Sequence, residues 1–230
     1  MSRVGFGKKV FIAAAIAALG ATASATNAAT ITFASFNDTA ANQWSYNNGT
    51  GALTTSGATA NWTSFAPPNQ ILNYNGPVTY SVTAAATGAV TGTTTLSQTI
   101  NGTMTFKNGS TTVLSVVFSG AILSGTAGSN SSGLTADTTI VGQVISYTAD
   151  PSVQVGSFTS PFSFSISFTT IPGLTKTGSN FTSFTATATG SFSADQSGAS
   201  PTPLPIAAWG GMSLMGAIGG VGAFIKRRRR

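Results

Sequence analysis

An all-β fold, an antiparallel β-sandwich or jelly roll, is what the middle of this sequence predicts, on three observations. Apolar and hydroxyl residues alternate strictly in several segments, most clearly Phe162, Phe164, Ile166 and Phe168 with Ser163, Ser165, Ser167 and Thr169 between and after them. That period of two puts one strand face into a core and the other into water. Gly, Asn, Pro and Ser punctuate these segments at turn spacing, and no helical period occurs between the apolar runs near the two ends.

Along the chain, Arg3, Lys8 and Lys9 precede a short apolar stretch, Val10 to Leu19, and the small-residue string that follows includes Ala23-Ser24-Ala25. A basic start, a run of about ten apolar residues and Ala-x-Ala sites predict a secretory signal peptide over 1–28, cut after Ala25 or after Ala28 by signal peptidase following export through the Sec translocon. The extracellular domain is expected over 29–197, long enough for one core.

Its first strand is expected from Thr30 to Phe36. The stretch from Asn37 to Asn75 reads as less regular and holds Trp44, Tyr46, Trp62, Phe65 and Tyr74 among Asn, Gly and Pro67-Pro68. Rings beside amide side chains suit a sugar-binding surface, while most rings in a sandwich are core residues with a satisfied polar tip. Trp44, Tyr46, Trp62 and Tyr74 are thus the candidate glycan-binding residues of a lectin-like alternative. The discriminator is whether the tryptophan rings lie exposed together or point into the core.

Val78 to Thr83 alternates through Tyr80 and Val82. Thr93 to Phe118 predicts three strands, because Asn101-Gly102 and Asn108-Gly109 are dipeptides that accept positive φ in tight hairpin turns. A strand is also expected from Thr139 to Thr148. The segment from Thr182 to Ser193 repeats the period through Phe184, Ala186, Ala188 and Phe192, with Gly190 at the remaining inward position, where close packing or a bend is expected. The structural rival is an outer-membrane barrel, which needs apolar residues facing outward on most strands.

Residues 198–205 form a linker carrying Pro203-Leu204-Pro205. The uncharged apolar run over 206–225 makes a helix of roughly 30 Å at about 1.5 Å per residue, enough to span a lipid bilayer once. Gly216 and Gly220 form a small-xxx-small pair of the kind that packs a second helix, although among so many glycines that spacing more often arises by chance. Lys226, Arg227, Arg228, Arg229 and Arg230 then fix the orientation, since basic residues beside a span stay cytoplasmic. The tail points in and the domain out, in agreement with the leader.

The order of proline motif, transmembrane helix and arginine-rich end resembles the sorting signal of the PEP-CTERM family of exosortase substrates, and Pro203-Leu204-Pro205 is most like its VPLPA variant. The resemblance covers 201–230. Thr202 stands where the variant has valine, and Ile206 where alanine is usual. It implies a partner, an exosortase-type membrane protease that cuts near the proline motif, and a structural or adhesive place at the cell surface or in an extracellular matrix or biofilm, with exopolysaccharide as the matrix component. The LPxTG sortase signal fits less well, because Ile206-Ala207-Ala208 follows Leu204-Pro205.

Charge excludes other classes. The formal net charge is +6, but Arg3, Lys8, Lys9 and the tail supply +8 of it, leaving −2 for Lys107 and Lys176 against Asp38, Asp137, Asp150 and Asp195. A nucleic-acid surface needs clustered Lys and Arg, so no nucleic-acid partner is expected. There is no histidine, no cysteine and no glutamate, which removes Ser-His-Asp chemistry, thiolate metal sites and most acid–base pairs. Asp137 and Asp150 as a carboxylate pair are weighed against turn-capping roles, and no clustered calcium-loop pattern occurs. No enzyme activity, no cofactor and no metal are expected. Asn37, Asn48, Asn61, Asn101, Asn108, Asn130 and Asn180 head Asn-x-Ser/Thr sequons, which makes the chain a candidate glycoprotein.

Overall fold

A computed structural model describes residues 30–65 and 70–195. The leader, the proline motif, the apolar run and the basic tail lie outside the described residues. The described chain is all-β: β1 Ile31–Asp38, β2 Trp44–Asn47, β3 Ala52–Ser64, β4 Asn75–Ala86, β5 Thr95–Asn108, β6 Thr111–Thr126, β7 Ser132–Asp137, β8 Val144–Thr148, β9 Thr159–Thr169, β10 Lys176–Thr177, β11 Asn180–Phe181 and β12 Phe184–Asp195. No helix among the described residues is long and apolar enough to cross a membrane.

The all-β, antiparallel character expected from the sequence is present, with the long strands joined in one large sheet. Ten strands make one antiparallel sheet, and its pairings close on themselves: β3 pairs β4, β4 pairs β5, β5 pairs β6, β6 pairs β7, β7 pairs β9, β9 pairs β12, β12 pairs β1 and β1 returns to β3. Neighbours in this ring follow one another in the chain, so it is a meander rather than a jelly roll's Greek key. Closure leaves fewer unpaired edges than two separate sheets would.

Two positions in the ring are each filled by two short strands. β1 and β2 both pair antiparallel with β12 and β3, so they run the same way in one slot, interrupted at residues 39–43. Side chains replace the missing ladder there. The Asp38 carboxylate accepts the Ala188 N–H at 2.7 Å on the β12 side. On the β3 side, Gln43 accepts from Thr59 N at 2.6 Å and donates to Thr59 O at 2.7 Å, doing with one amide what a strand residue does with its backbone. β7 and β8 lie end to end along β6, with β7 also pairing β9 and β8 pairing β6 alone. Across their break Gln143 accepts from Asp137 N at 2.6 Å and Thr138 bonds both Phe162 N and Phe162 O.

The inward residues form one core. Phe36, Tyr80, Phe106, Trp62 and Phe192 pack ring against ring at its centre, with centroid separations between 5.0 and 6.0 Å, such as Phe36 to Phe106 at 5.1 Å and Trp62 to Phe192 at 5.7 Å. Phe164, Ile166 and Phe168 are buried, as their alternation predicts, and Ser165 and Ser167 are exposed. Gly190 lies against Phe36, where an added Cβ would sit 2.4 Å from the ring, so the close packing expected at that glycine is present. Outward positions on β4, β9 and β12 are mostly Ser and Thr, the reverse of a lipid-facing barrel.

Three local expectations are corrected. Thr93 to Phe118 holds two long strands rather than three, because Asn101 and Gly102 lie inside β5. Asn101 accepts the Gly120 N–H of β6 at 2.7 Å, and Gly102 is pressed on Ala84 of β4, where a Cβ would meet the Ala84 Cβ at 2.3 Å. Asn108-Gly109 does turn, with Gly109 at φ 59° between the paired Asn108 and Thr111. Within Thr139 to Thr148 only Val144–Thr148 is strand. Finally, Asn37 to Asn75 is not irregular, since it contains β2 and the thirteen-residue β3.

Candidate functional site

The aromatic residues proposed to hold a sugar are core residues. Trp44 is 0% exposed, Tyr46 1% and Trp62 2%, so none of the three presents a ring face to a ligand. Trp44 packs edge-on against Phe168 at 5.0 Å, and Tyr46 stacks on Phe184 at 5.3 Å. Tyr74 is half-buried against the core, and its hydroxyl donates to the Pro77 carbonyl at 2.6 Å. The physical reason is register: Trp44 and Tyr46 sit at alternate positions of β2, and Trp62 in β3, all on the inward face.

Polar tips inside the core are used structurally. Tyr46 donates to Gln98 Oε1 at 2.7 Å, and Gln98 donates from Nε2 to Gly88 O at 2.9 Å and to Asn180 Oδ1 at 2.8 Å, which fastens β2 and β5 to the β10–β11 hairpin. Trp62 Nε1 donates to Ser64 Oγ at 3.0 Å. Tyr80 donates to Asp38, whose carboxyl is pushed above its ordinary range by burial, against the lowering effect of the Tyr80 and Ala188 hydrogen bonds. Burial, and then the Asp38 carboxylate, push the Tyr80 hydroxyl upward in turn. Trp44 Nε1 lies near that hydroxyl but forms no hydrogen bond of ordinary geometry, and is one of two buried polar side-chain atoms without a partner among the described residues.

The other aspartates serve turns. Asp137 Oδ1 accepts from Thr139 N at 2.8 Å and from Thr139 Oγ1 at 2.7 Å, and Asp150 Oδ1 accepts from Ser152 N at 2.9 Å. The Ser152 hydrogen bonds, backbone first, hold the Asp150 carboxyl below its usual range. These are the turn-capping roles weighed at the sequence level. Lys107 and Lys176 are exposed, one on β5 and one on the β10–β11 hairpin. Among the described residues no group of three His, Cys, Asp or Glu is placed to hold a metal ion.

The surface offers shallow, hydroxyl-lined depressions. One of about 220 Å³ lies over Thr135, Asp137, Gln143, Ser163 and Ser193, and another of about 370 Å³ over Ser35, Ser165, Ser167, Thr189 and Ser191. Both are open to solvent. The one surface feature that sequence reasoning missed is a group of exposed valines around β8. No period marks them, because Val117 and Val144 occupy outward positions that Ser or Thr fills elsewhere.

Comparison of the chain with family models, curated proteins and solved structures finds no match. The reading of function therefore rests on the chain's own residues.

Proposed function

We propose that this chain is an exported surface protein whose all-β domain is delivered by a cleavable leader and handled through a PEP-CTERM-like tail, to serve a structural or adhesive role in an extracellular matrix or biofilm. The observation that carries the reading is the order at 203–230: a proline motif, a span-length apolar run and a terminal basic cluster. The basic residues hold the C-terminus in the cytoplasm, the span sets the proline motif at the outer membrane face, and an exosortase-type protease there cuts. Proline keeps the motif extended, since it does not continue the helix.

Two features of the domain support this role. Ile31 of β1 pairs with Ala194 of β12, so the described domain begins and ends at the same end of its sheet. The outer face is rich in Ser and Thr and poor in charge, which suits hydrogen bonding to neutral, hydroxyl-rich neighbours such as exopolysaccharide. The lectin-like alternative loses its stacking rings to the core.

The test is an epitope tag placed after Arg230, followed by fractionation of native cells and mass spectrometry of the surface form. The surface protein is expected to have lost the tag and to begin at Thr26 or within about three residues of it. A surface protein that keeps the tag makes the tail a permanent anchor and overturns the processing reading.

A further inference from the structure

We infer that Asn108, at the tip of the β5–β6 hairpin, is a modification site: it deamidates spontaneously in the folded chain. Asparagine precedes glycine at Asn48, Asn75, Asn101 and Asn108 among the described residues. At such a step the glycine nitrogen attacks the asparagine side-chain carbonyl, and the missing Cβ lets the two atoms approach. The fold holds three of the four against this. Asn101 Oδ1 accepts the Gly120 N–H at 2.7 Å, and Gly102 lies inside the ladder between Ala84 of β4 and Phe118 of β6. Asn75 Oδ1 accepts the Ser64 N–H at 2.8 Å, and Gly76 is paired with Trp62 of β3. Asn48 Nδ2 donates to Thr177 O at 3.0 Å and to Phe181 O at 2.9 Å, which ties its carboxamide to the β10–β11 hairpin.

Asn108 is different. It pairs with Thr111, so Gly109 and Ser110 form a two-residue loop, and Asn108, Gly109 and Ser110 are all exposed. Gly109 stands at φ 59° while Ser110 is not at positive φ, the II′ arrangement with glycine first. Neither the Asn108 carboxamide nor the Gly109 N–H has a hydrogen-bond partner among the described residues. The reaction needs only water and a base. Hydroxide removes the Gly109 N–H proton, the nitrogen bonds to Asn108 Cγ, and the Cγ–Nδ2 bond breaks with release of ammonia. Water then opens the resulting succinimide. Attack at Cγ restores the chain with an aspartyl residue, and attack at the Asn108 backbone carbonyl leaves an isoaspartyl link that carries one extra methylene in the main chain. Both products put a negative charge on the hairpin tip, and the isoaspartyl form breaks the register that sets Asn108 opposite Thr111.

The test holds the full-length protein, folded in detergent, in mildly alkaline water enriched in heavy oxygen, with peptide mapping by mass spectrometry over time. The Asn108 peptide is expected to take up the label and to split into aspartyl and isoaspartyl forms. It should do so at least about tenfold faster than the Asn48, Asn75 and Asn101 peptides, each of which must first break a hydrogen bond of the folded chain. In urea the four rates should converge. Asn108→Gln, a change at an exposed side chain, should abolish the labelled product there, since glutamine closes to a larger ring far more slowly. Equal rates at the four steps of the folded chain, or a faster step at Asn48, Asn75 or Asn101, overturn the inference. So does an unlabelled Asn108 under conditions in which the unfolded chain reacts. Asn108 also heads a sequon, and surface protein from native cells that carries a glycan on Asn108 Nδ2 overturns it as well, because the substituted nitrogen is not released.

Discussion

Replacing Gly190 by alanine tests the core at its tightest point. Gly190 is not among the glycines at positive φ, so an alanine there meets no backbone penalty and the cost is purely steric. The new methyl lies 2.4 Å from Phe36 Cε1, about 1 Å inside the distance at which ordinary contact begins, and 3.0 Å from Ile166 Cγ1. Phe36 has nowhere to retreat, with Phe106 at 5.1 Å, Tyr80 at 5.7 Å and Phe192 at 6.0 Å from its ring. Overpacking of this kind costs about 1–3 kcal/mol, and relief of the glycine's entropic disadvantage in a strand returns about 0.5–1 kcal/mol. A net loss of about 1 kcal/mol lowers a urea midpoint by about 0.5 M at an ordinary slope. Phe36→Leu removes the clashing ring edge, so the double variant should be more stable than the sum of the two single changes by at least about 1 kcal/mol. A neutral Gly190→Ala, or strict additivity in the double variant, refutes the packing argument.

Phe168→Ala or Phe164→Ala should destabilise by about 3–5 kcal/mol in urea titrations, and Ser165→Ala or Ser167→Ala by no more than about 0.5 kcal/mol; equal shifts refute the inward register of β9. Because burial raises the Asp38 carboxyl above its unfolded value, the folded state holds that proton more tightly. The contribution of Asp38 is therefore fully present below about pH 3.9 and lost as pH rises through the folded value. Asp38→Asn should remove that part of the pH dependence from urea midpoints measured between pH 3 and 7, and an unchanged profile counts against the burial argument. In a Trp209→Phe background, emission from Trp44 and Trp62 should be blue-shifted, resistant to acrylamide and indifferent to soluble oligosaccharides; a sugar-dependent shift restores the stacking surface. Changing Pro203 and Pro205 to alanine should leave full-length protein in the inner membrane, read by the tag after Arg230, and normal release refutes the role given to the motif.

Alternation in the sequence was enough to decide that this chain is built of strands and, for β4, β9 and β12, which residues point inward, because the period of two is a local consequence of backbone geometry. Phe164, Ile166, Phe168, Ala186, Ala188 and Phe192 are inward as their spacing requires. Where a bulge interrupts the ladder, the same signal fails. In β3 the buried set passes from Leu53 and Thr55 to Ala58, Ala60 and Trp62 across a register shift, so its parity reverses and the strand reads as an irregular segment. Asn101-Gly102 has the composition of a turn, but its conformation is set by two neighbouring strands: Gly120 donates to Asn101 and Ala84 packs on Gly102. The expected leader and tail lie outside the described residues and rest on hydropathy and charge alone, which act through membrane partition and need no tertiary contact. Ring closure and the burial of Trp44 and Trp62 depend on which distant strands pair. A period of two specifies a face and leaves the neighbour open, so only the folded chain decides whether a face meets core or water.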